Sequence, residues 1–184
     1  MGALDTISVL SKYLSDKSFD IVLTHSIEVS VLAIAVCGHL RLSASDTLFV
    51  QQAAMLHDIG VCRVKAPDLG LREGHPYIMH GILGREILEH EGLLQHALVC
   101  ERHIGVGLTV EDIVNQSLPL PLRDMSPLTV AEEIVCFADL FYSKKTGQLT
   151  KRKSINRVRE NLLHYGEEKS IIFDSWIQRF GTVI

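Results

Sequence analysis

The strongest constraint on this chain is the stretch over residues 19–40, apolar on almost every side through Val29, Val31, Leu32, Ala33, Ile34, Ala35 and Val36. A run of that length and period is a helix, and a helix without a broad polar face needs other elements around it. The rest of the sequence supplies them in the same period. Leu4, Ile7, Leu10, Ser11 and Leu14 mark one face of a short helix ahead of it, and Ser43 with Asp46 opens a third with a capping-box pattern. A fourth enters near Pro76 and carries Ile78, Ile82, Leu83 and Ile87; a fifth runs from residue 93 to about 103 and is closed by Gly105 and Gly107. Thr109 with Asp112 caps a short helix, Pro119 and Pro121 force extended chain, and Ser126-Pro127 starts an apolar helix through Phe141. A basic helix over 151–164 and an amphipathic one with Ile171, Trp176 and Phe180 read as packing elements. The expectation is an all-α helical bundle in one domain over 1–184, its core at about 19–145 and its C-terminal packing helices at about 151–181.

Composition excludes some functions. A net charge of -4 and a pI near 6.1 argue against a general grip on nucleic acid, which needs a basic face, and leave a small anionic ligand open. No apolar run approaches the length of a bilayer span, and Met1-Gly2-Ala3-Leu4-Asp5 lacks the basic start of a signal peptide, so a cytoplasmic protein with no membrane partner is expected. Cys37, Cys62, Cys100 and Cys136 share no close CxxC spacing and read as reduced and structural. The 47% hydrophobic content leaves room for a homodimer interface.

Chemistry concentrates in polar residues set among apolar ones. His25 shares a helical face with Val22, Val29, Leu32 and Val36, where an imidazole must be hydrogen-bonded or metal-bound. His57 and Asp58 stand at a helix end before Gly60, a glycine read as the left-handed stop of that helix. His80 lies near Gly81 and Gly84, where small residues let another backbone or a ligand approach, and His103 repeats the helix-end setting. Asp139 is a carboxylate in an apolar helix, costly to bury without a cation or several donors. Each offers nitrogen or oxygen to a first-row divalent metal. Taken singly, a core histidine or a His-Asp pair at a helix end is more often a satisfied core or capping group than a ligand; six such residues in one helical chain are hard to assign to independent hydrogen bonds. The loop over 61–75 carries Arg63, Lys65 and Arg72 beside His57 and Asp58, able to grip phosphate or to serve as surface charge. Lys144, Lys145, Lys151, Arg152 and Lys153 read as a solvated basic face.

The order His25, His57-Asp58, Asp139 resembles the H...HD...D signature of the HD-domain superfamily of metal-dependent phosphohydrolases, and Leu56-His57-Asp58-Ile59-Gly60 resembles its HDIG subset. The likeness runs from about residue 24 to 145. It implies an HD-domain-like helical bundle in which His25, His57, Asp58 and Asp139 hold one metal. His80 and His103 look like the extra ligands of binuclear members, with Asp58 bridging two ions. Val61 stands where many binuclear members carry lysine, Arg102-His103 replaces the paired histidines of the HD-GYP group, and no GYP tripeptide is present, which weighs against a cyclic di-GMP substrate. The implied activity is hydrolysis of a phosphoester or phosphoanhydride bond in a small phosphorylated substrate, a nucleotide or dinucleotide, by a metal-activated hydroxide. The catalytic set read from the chain is Asp58, Lys65 and Arg102, with Lys65, Arg63 or Arg102 as the cation that orients a phosphate. One or two divalent ions per chain are expected, iron or manganese first, with zinc, cobalt or magnesium open. Two alternatives remain, a nucleotide-binding or signalling module with little turnover and a di-iron oxygenase.

Overall fold

The computed structural model describes residues 4–181; Met1, Gly2 and Ala3, part of the segment read for a leader, lie outside them. Among the described residues the chain forms nine α-helices and no strand beyond isolated bridges. They are α1 (Thr6–Ser11), α2 (Asp16–His39), α3 (Ala44–Leu56), α4 (His80–His90), α5 (Leu94–Arg102), α6 (Val110–Asn115), α7 (Val130–Leu140), α8 (Ile155–Leu163) and α9 (Glu167–Phe180). The fold is an all-α bundle.

Local chemistry sets several boundaries. The Ser43 hydroxyl accepts from the Asp46 amide at 3.1 Å to start α3, and Thr109 with Asp112 forms a reciprocal capping box at α6. Thr129, not Ser126-Pro127, begins α7: its hydroxyl accepts from the Glu132 amide, and the Glu132 carboxylate accepts from the Leu128 amide at 2.6 Å. The basic segment is shorter than its charge pattern, since Ser154 caps α8 and Lys151–Lys153 precede it.

At 24 residues α2 is, by length and composition, apolar enough to cross a bilayer, which corrects the reading that no run is. More than half of its most apolar window is buried against other helices of the chain, as in a core helix. It is also not buried all round. Ile27 and Val31 face outward, with Val31 61% exposed, while Val22, Val29, Leu32, Ala33 and Val36 face α3 and α7.

Two large apolar clusters fill most of the interior, and a small third one gathers Ile113, Leu120 and Met125. One of the large pair gathers Val29, Val36 and Ala53 with Phe137, Phe141, Phe173, Trp176 and Phe180. The other joins Leu10, Val22, Leu56, Ile59, Leu83, Ile87 and Cys100. Along α2 the change from one cluster to the other falls between Val22 and Val29, at His25; along α3 it falls between Ala54 and Leu56, just before His57. The polar centre sits on that seam.

Candidate metal centre

Gly60 brings the elements of the centre together by close approach. It does not take the left-handed conformation expected of a helix stop, because it lies inside a 3-10 turn over Ile59–Arg63. A Cβ there would collide with the His80 carbonyl and the Gly84 backbone, so α4 packs against this turn only where both residues are glycine. That contact sets His80 beside Asp58. Upstream, α3 ends at Leu56; His57 keeps helical dihedrals (φ -57°, ψ -28°) while Asp58 departs to φ -104°, ψ 10°. The unwinding lets both adjacent side chains point to one place.

Three histidines are oriented by one device. The Nδ1 atoms of His57, His80 and His103 lie 2.6, 2.7 and 2.7 Å from the carbonyls of Ala54, Tyr77 and Cys100, each three residues earlier. A carbonyl only accepts, so each Nδ1 carries the proton and each Nε2 turns a lone pair inward. His80 Nε2 and His103 Nε2 are 3.0 Å apart, a distance at which two lone pairs repel unless a cation or proton lies between them.

The carboxylate of Asp58 is the hub. Its Oδ2 lies 3.3 Å from His25 Nε2 and 3.2 Å from His57 Nε2; its Oδ1 lies 3.5 Å from His80 Nε2 and 3.6 Å from His103 Nε2. Asp139 Oδ1 closes the first side, 2.8 Å from His25 Nε2 and 3.5 Å from His57 Nε2. All six residues named from the sequence therefore converge, in three overlapping triplets whose ligand atoms lie within 4.8 Å of one another. Buried polar groups are normally paired, yet His57 Nε2 and Asp58 Oδ1 have no hydrogen-bond partner. Atoms of this kind, converging at such spacing, fit a divalent cation, with His25, His57, Asp58 and Asp139 on one side and Asp58, His80 and His103 on the other.

The electrostatics point the same way. Burial works against a charged His57, but the Asp58 and Asp139 carboxylates push its pKa up to about 10. The site thus calls for positive charge at His57 Nε2, which a proton or a metal supplies. Burial, with the nearby Lys144 ammonium, brings His25 down to about 4, and burial with His103 brings His80 down to about 3, so both are neutral donors at ordinary pH. Two thiols brace the ligand-bearing helix ends: Cys100 Sγ donates to the His57 carbonyl at 2.9 Å and Cys136 Sγ to the Arg102 carbonyl at 3.3 Å. Burial raises both thiol pKa values, which keeps them protonated donors. All four cysteines are free.

The cations fall out differently from the sequence reading. Lys144, assigned there to a solvated face, is largely buried; its Nζ contacts Asp58 Oδ2 and lies 3.4 Å from His25 Nε2. The carboxylate outweighs burial and holds this lysine protonated. Lys153 of the same run also turns inward, donating to the Leu140 and Tyr142 carbonyls at 2.9 and 2.7 Å at the end of α7. Arg102 turns to Glu132, at 2.9 Å, and Arg63 pairs with Glu86 at 3.1 Å on the surface, so neither guanidinium reaches the cluster. Lys65 is exposed and shares a shallow pocket with Tyr77, Lys144 and Lys145. The signal that could have found Lys144 is its position five residues after Asp139, beyond the last turn of α7.

Comparison with known proteins agrees with this geometry. The HD domain family model matches residues 22–142, which holds all six converging residues. The chain belongs to the HD domain family. This HD domain is 39% identical over 95 residues, 51% of the chain and 48% of the relative, to an uncharacterised protein of Methanocaldococcus jannaschii. It is 30% identical along its whole length to 47% of a tRNA (cytidine(56)-2'-O)-methyltransferase of Thermoplasma volcanium. A protein of the same name from Picrophilus torridus is 32% identical over 126 residues, 68% of the chain and 32% of that relative. The chain spans about half the length, or less, of these curated relatives. Among solved structures, the HD domain of the Listeria monocytogenes phosphodiesterase PgpH superposes with a TM-score of 0.56 at 15% identity, covering 95% of this chain and 87% of that one, a likeness of fold. Family membership and the clustered histidines and aspartates together support divalent metal binding.

Proposed function

We propose that the chain hydrolyses a phosphoester or phosphoanhydride bond in a small phosphorylated substrate, a nucleotide or dinucleotide, using two divalent ions, iron or manganese before others. The observation that carries this reading is the two-sided Asp58 carboxylate, with one oxygen turned to His25 and His57 and the other to His80 and His103. When bound, such ions supply an acidified water and positive charge opposite the phosphoryl oxygens. The chain's own residues do the rest. The carbonyls of Ala54, Tyr77 and Cys100 hold three imidazoles in the tautomer that leaves Nε2 available. Lys144 is the cation nearest the cluster and is placed to orient a phosphoryl oxygen, the task the sequence reading gave to Arg102; Lys65 stands farther out at the rim.

Elemental analysis of protein purified anaerobically, paired with phosphate release from nucleotides, dinucleoside polyphosphates and cyclic dinucleotides, tests the proposal. Two ions per chain and turnover of at least one of these substrates are expected. No bound metal after reconstitution would overturn the ligand assignment. Metal with no phosphate release from any substrate would return the chain to a binding module, and iron-dependent oxygen consumption in its place would make it an oxygenase.

A further inference from the structure

Beyond Asp139 and Lys144 the centre opens into a hollow of about 300 Å³ that phosphoryl chemistry leaves unexplained. Val106, Leu108, Leu118 and Leu140 contribute apolar lining, and α8 adds Val158 and Leu162. Lys153 and Lys169 also line it, but both are committed, the first to the Leu140 and Tyr142 carbonyls and the second to the Asp112 carboxylate and the Gly107 carbonyl. Positive charge available to a ligand is therefore confined to the Lys144 end, and the remainder suits an uncharged body. Of the polar side chains in the lining that make no side-chain hydrogen bond to a described residue, Gln116 and Tyr165 are exposed and Tyr142 is a buried phenol, which leaves Asn161 as the partly buried amide able to read that body. Asn161, half-buried on α8, makes no side-chain hydrogen bond to any described residue.

We propose that this hollow receives the nucleobase of the substrate and that Asn161 is the residue that selects among bases. The inference rests on the phosphohydrolase reading above and deepens it. An alkyl body would bury the amide without a partner, at a cost; the edge of a heterocyclic base offers a donor and an acceptor that match its two ends. A flat ring also finds apolar side chains around it, while its phosphate reaches Lys144 and the cluster. The reading residue stands on α8, outside the 22–142 span that matches the family model and apart from the six converging residues.

The test uses the full metal-loaded chain, the four nucleoside 5′-monophosphates and ribose 5-phosphate, with Asn161→Leu and Asn161→Trp compared with wild type. Binding of the four phosphate-free nucleosides is measured alongside by ligand-observed NMR, and a thermal melt checks the fold of each variant. At least one nucleotide is expected to exceed ribose 5-phosphate in kcat/KM by about tenfold or more, and Asn161→Leu should compress the spread among bases by about tenfold. Asn161→Trp should abolish nucleoside binding. Equal rates for nucleotides and ribose 5-phosphate, a base ranking unmoved by Asn161→Leu, or nucleosides that fail to bind would overturn the assignment while leaving the hydrolase reading in place. Absence of phosphate release from every substrate would instead sink the hydrolase reading, and nucleoside binding would still decide the hollow.

Discussion

Buried charge occurs in two kinds of place in this molecule, and they are built on opposite plans. Around the bundle, each buried ion has a dedicated partner. Glu132 takes Arg102 and the Leu128 amide, Glu101 takes Arg85 and Arg123, and Asp112 takes Lys169 with the Thr109 amide and hydroxyl. At the seam between the apolar clusters, two carboxylates face four imidazoles and one ammonium, and the lone pairs of His57 Nε2 and Asp58 Oδ1 still lack hydrogen-bond partners. A buried pair that is satisfied fixes geometry; one left unsatisfied costs stability and is kept where something else completes it. The contrast separates ions that serve the fold from ions that serve a ligand.

The widest gap between the two plans should show at Asp58. Asp58→Asn keeps the shape and removes the charge shared by both sides of the centre. Manganese at 100 times its dissociation constant should stabilise the wild type by about 2.7 kcal/mol, and the variant should lose most of that gain. Phosphate release should fall by at least about 100-fold, since charge stabilisation worth several kcal/mol goes with the metal. Calorimetry with and without manganese checks the first; a variant that kept the full rise would place Asp58 with the structural ions.

Asp112 supplies the counterpart. Asp112→Asn leaves Lys169 buried beside an amide and should cost about 3 kcal/mol in denaturant unfolding at neutral pH, with metal content unchanged. The cost should depend on pH in a set direction. Burial opposes ionisation of Asp112, but Lys169 and the Thr109 donors hold its carboxyl below the usual range. A depressed carboxyl contributes fully above its unfolded value, about 3.9, and loses that contribution as pH falls through the lower folded value. The gap between wild type and Asp112→Asn should therefore narrow below about pH 4. A gap that widened there would refute the pairing.

The same division explains how much could be read from the chain alone. Helix order was legible from apolar period. The six converging residues were legible as a set, because one buried histidine or aspartate is readily satisfied by a hydrogen bond but six in apolar settings or at helix ends are not, and His25, His80 and Asp139 each stand out against their neighbours. What was hidden depends on tertiary approach. Gly60 looked like a helix stop because its neighbours end a helix, whereas the backbone of α4 is what excludes a side chain there. Arg102 sits next to His103 in sequence, but Glu132 on the adjacent α7 draws it away. Lys144 was lost in a basic run, a pattern that describes solvated faces well and says nothing of two members, Lys144 and Lys153, folding back toward α7.

Lys144 also gives the sharpest, though smallest, test of the comparison, because it has the outward form of Lys169: a buried ammonium on a buried aspartate. If the likeness were real, Lys144→Met would destabilise the protein as loss of a structural partner does and leave ligand affinity alone. The surroundings say otherwise. Asp112 has other donors and one lysine, while the Asp58 carboxylate is shared among four imidazoles, and Lys144 also lines the hollow that opens from the cluster. An ammonium so placed is worth more to an incoming phosphate than to a carboxylate that a metal already neutralises. In the manganese-loaded protein, Lys144→Met should keep its metal content and weaken inorganic phosphate, measured as a competitive inhibitor, by about tenfold, one charge-assisted hydrogen bond's worth. Lys144→Arg should recover part of that loss, because a guanidinium restores the charge without the reach of the ammonium. Unchanged phosphate affinity with a large loss of stability would move Lys144 into the company of Lys169 and leave the substrate's charge to be met by the metals alone.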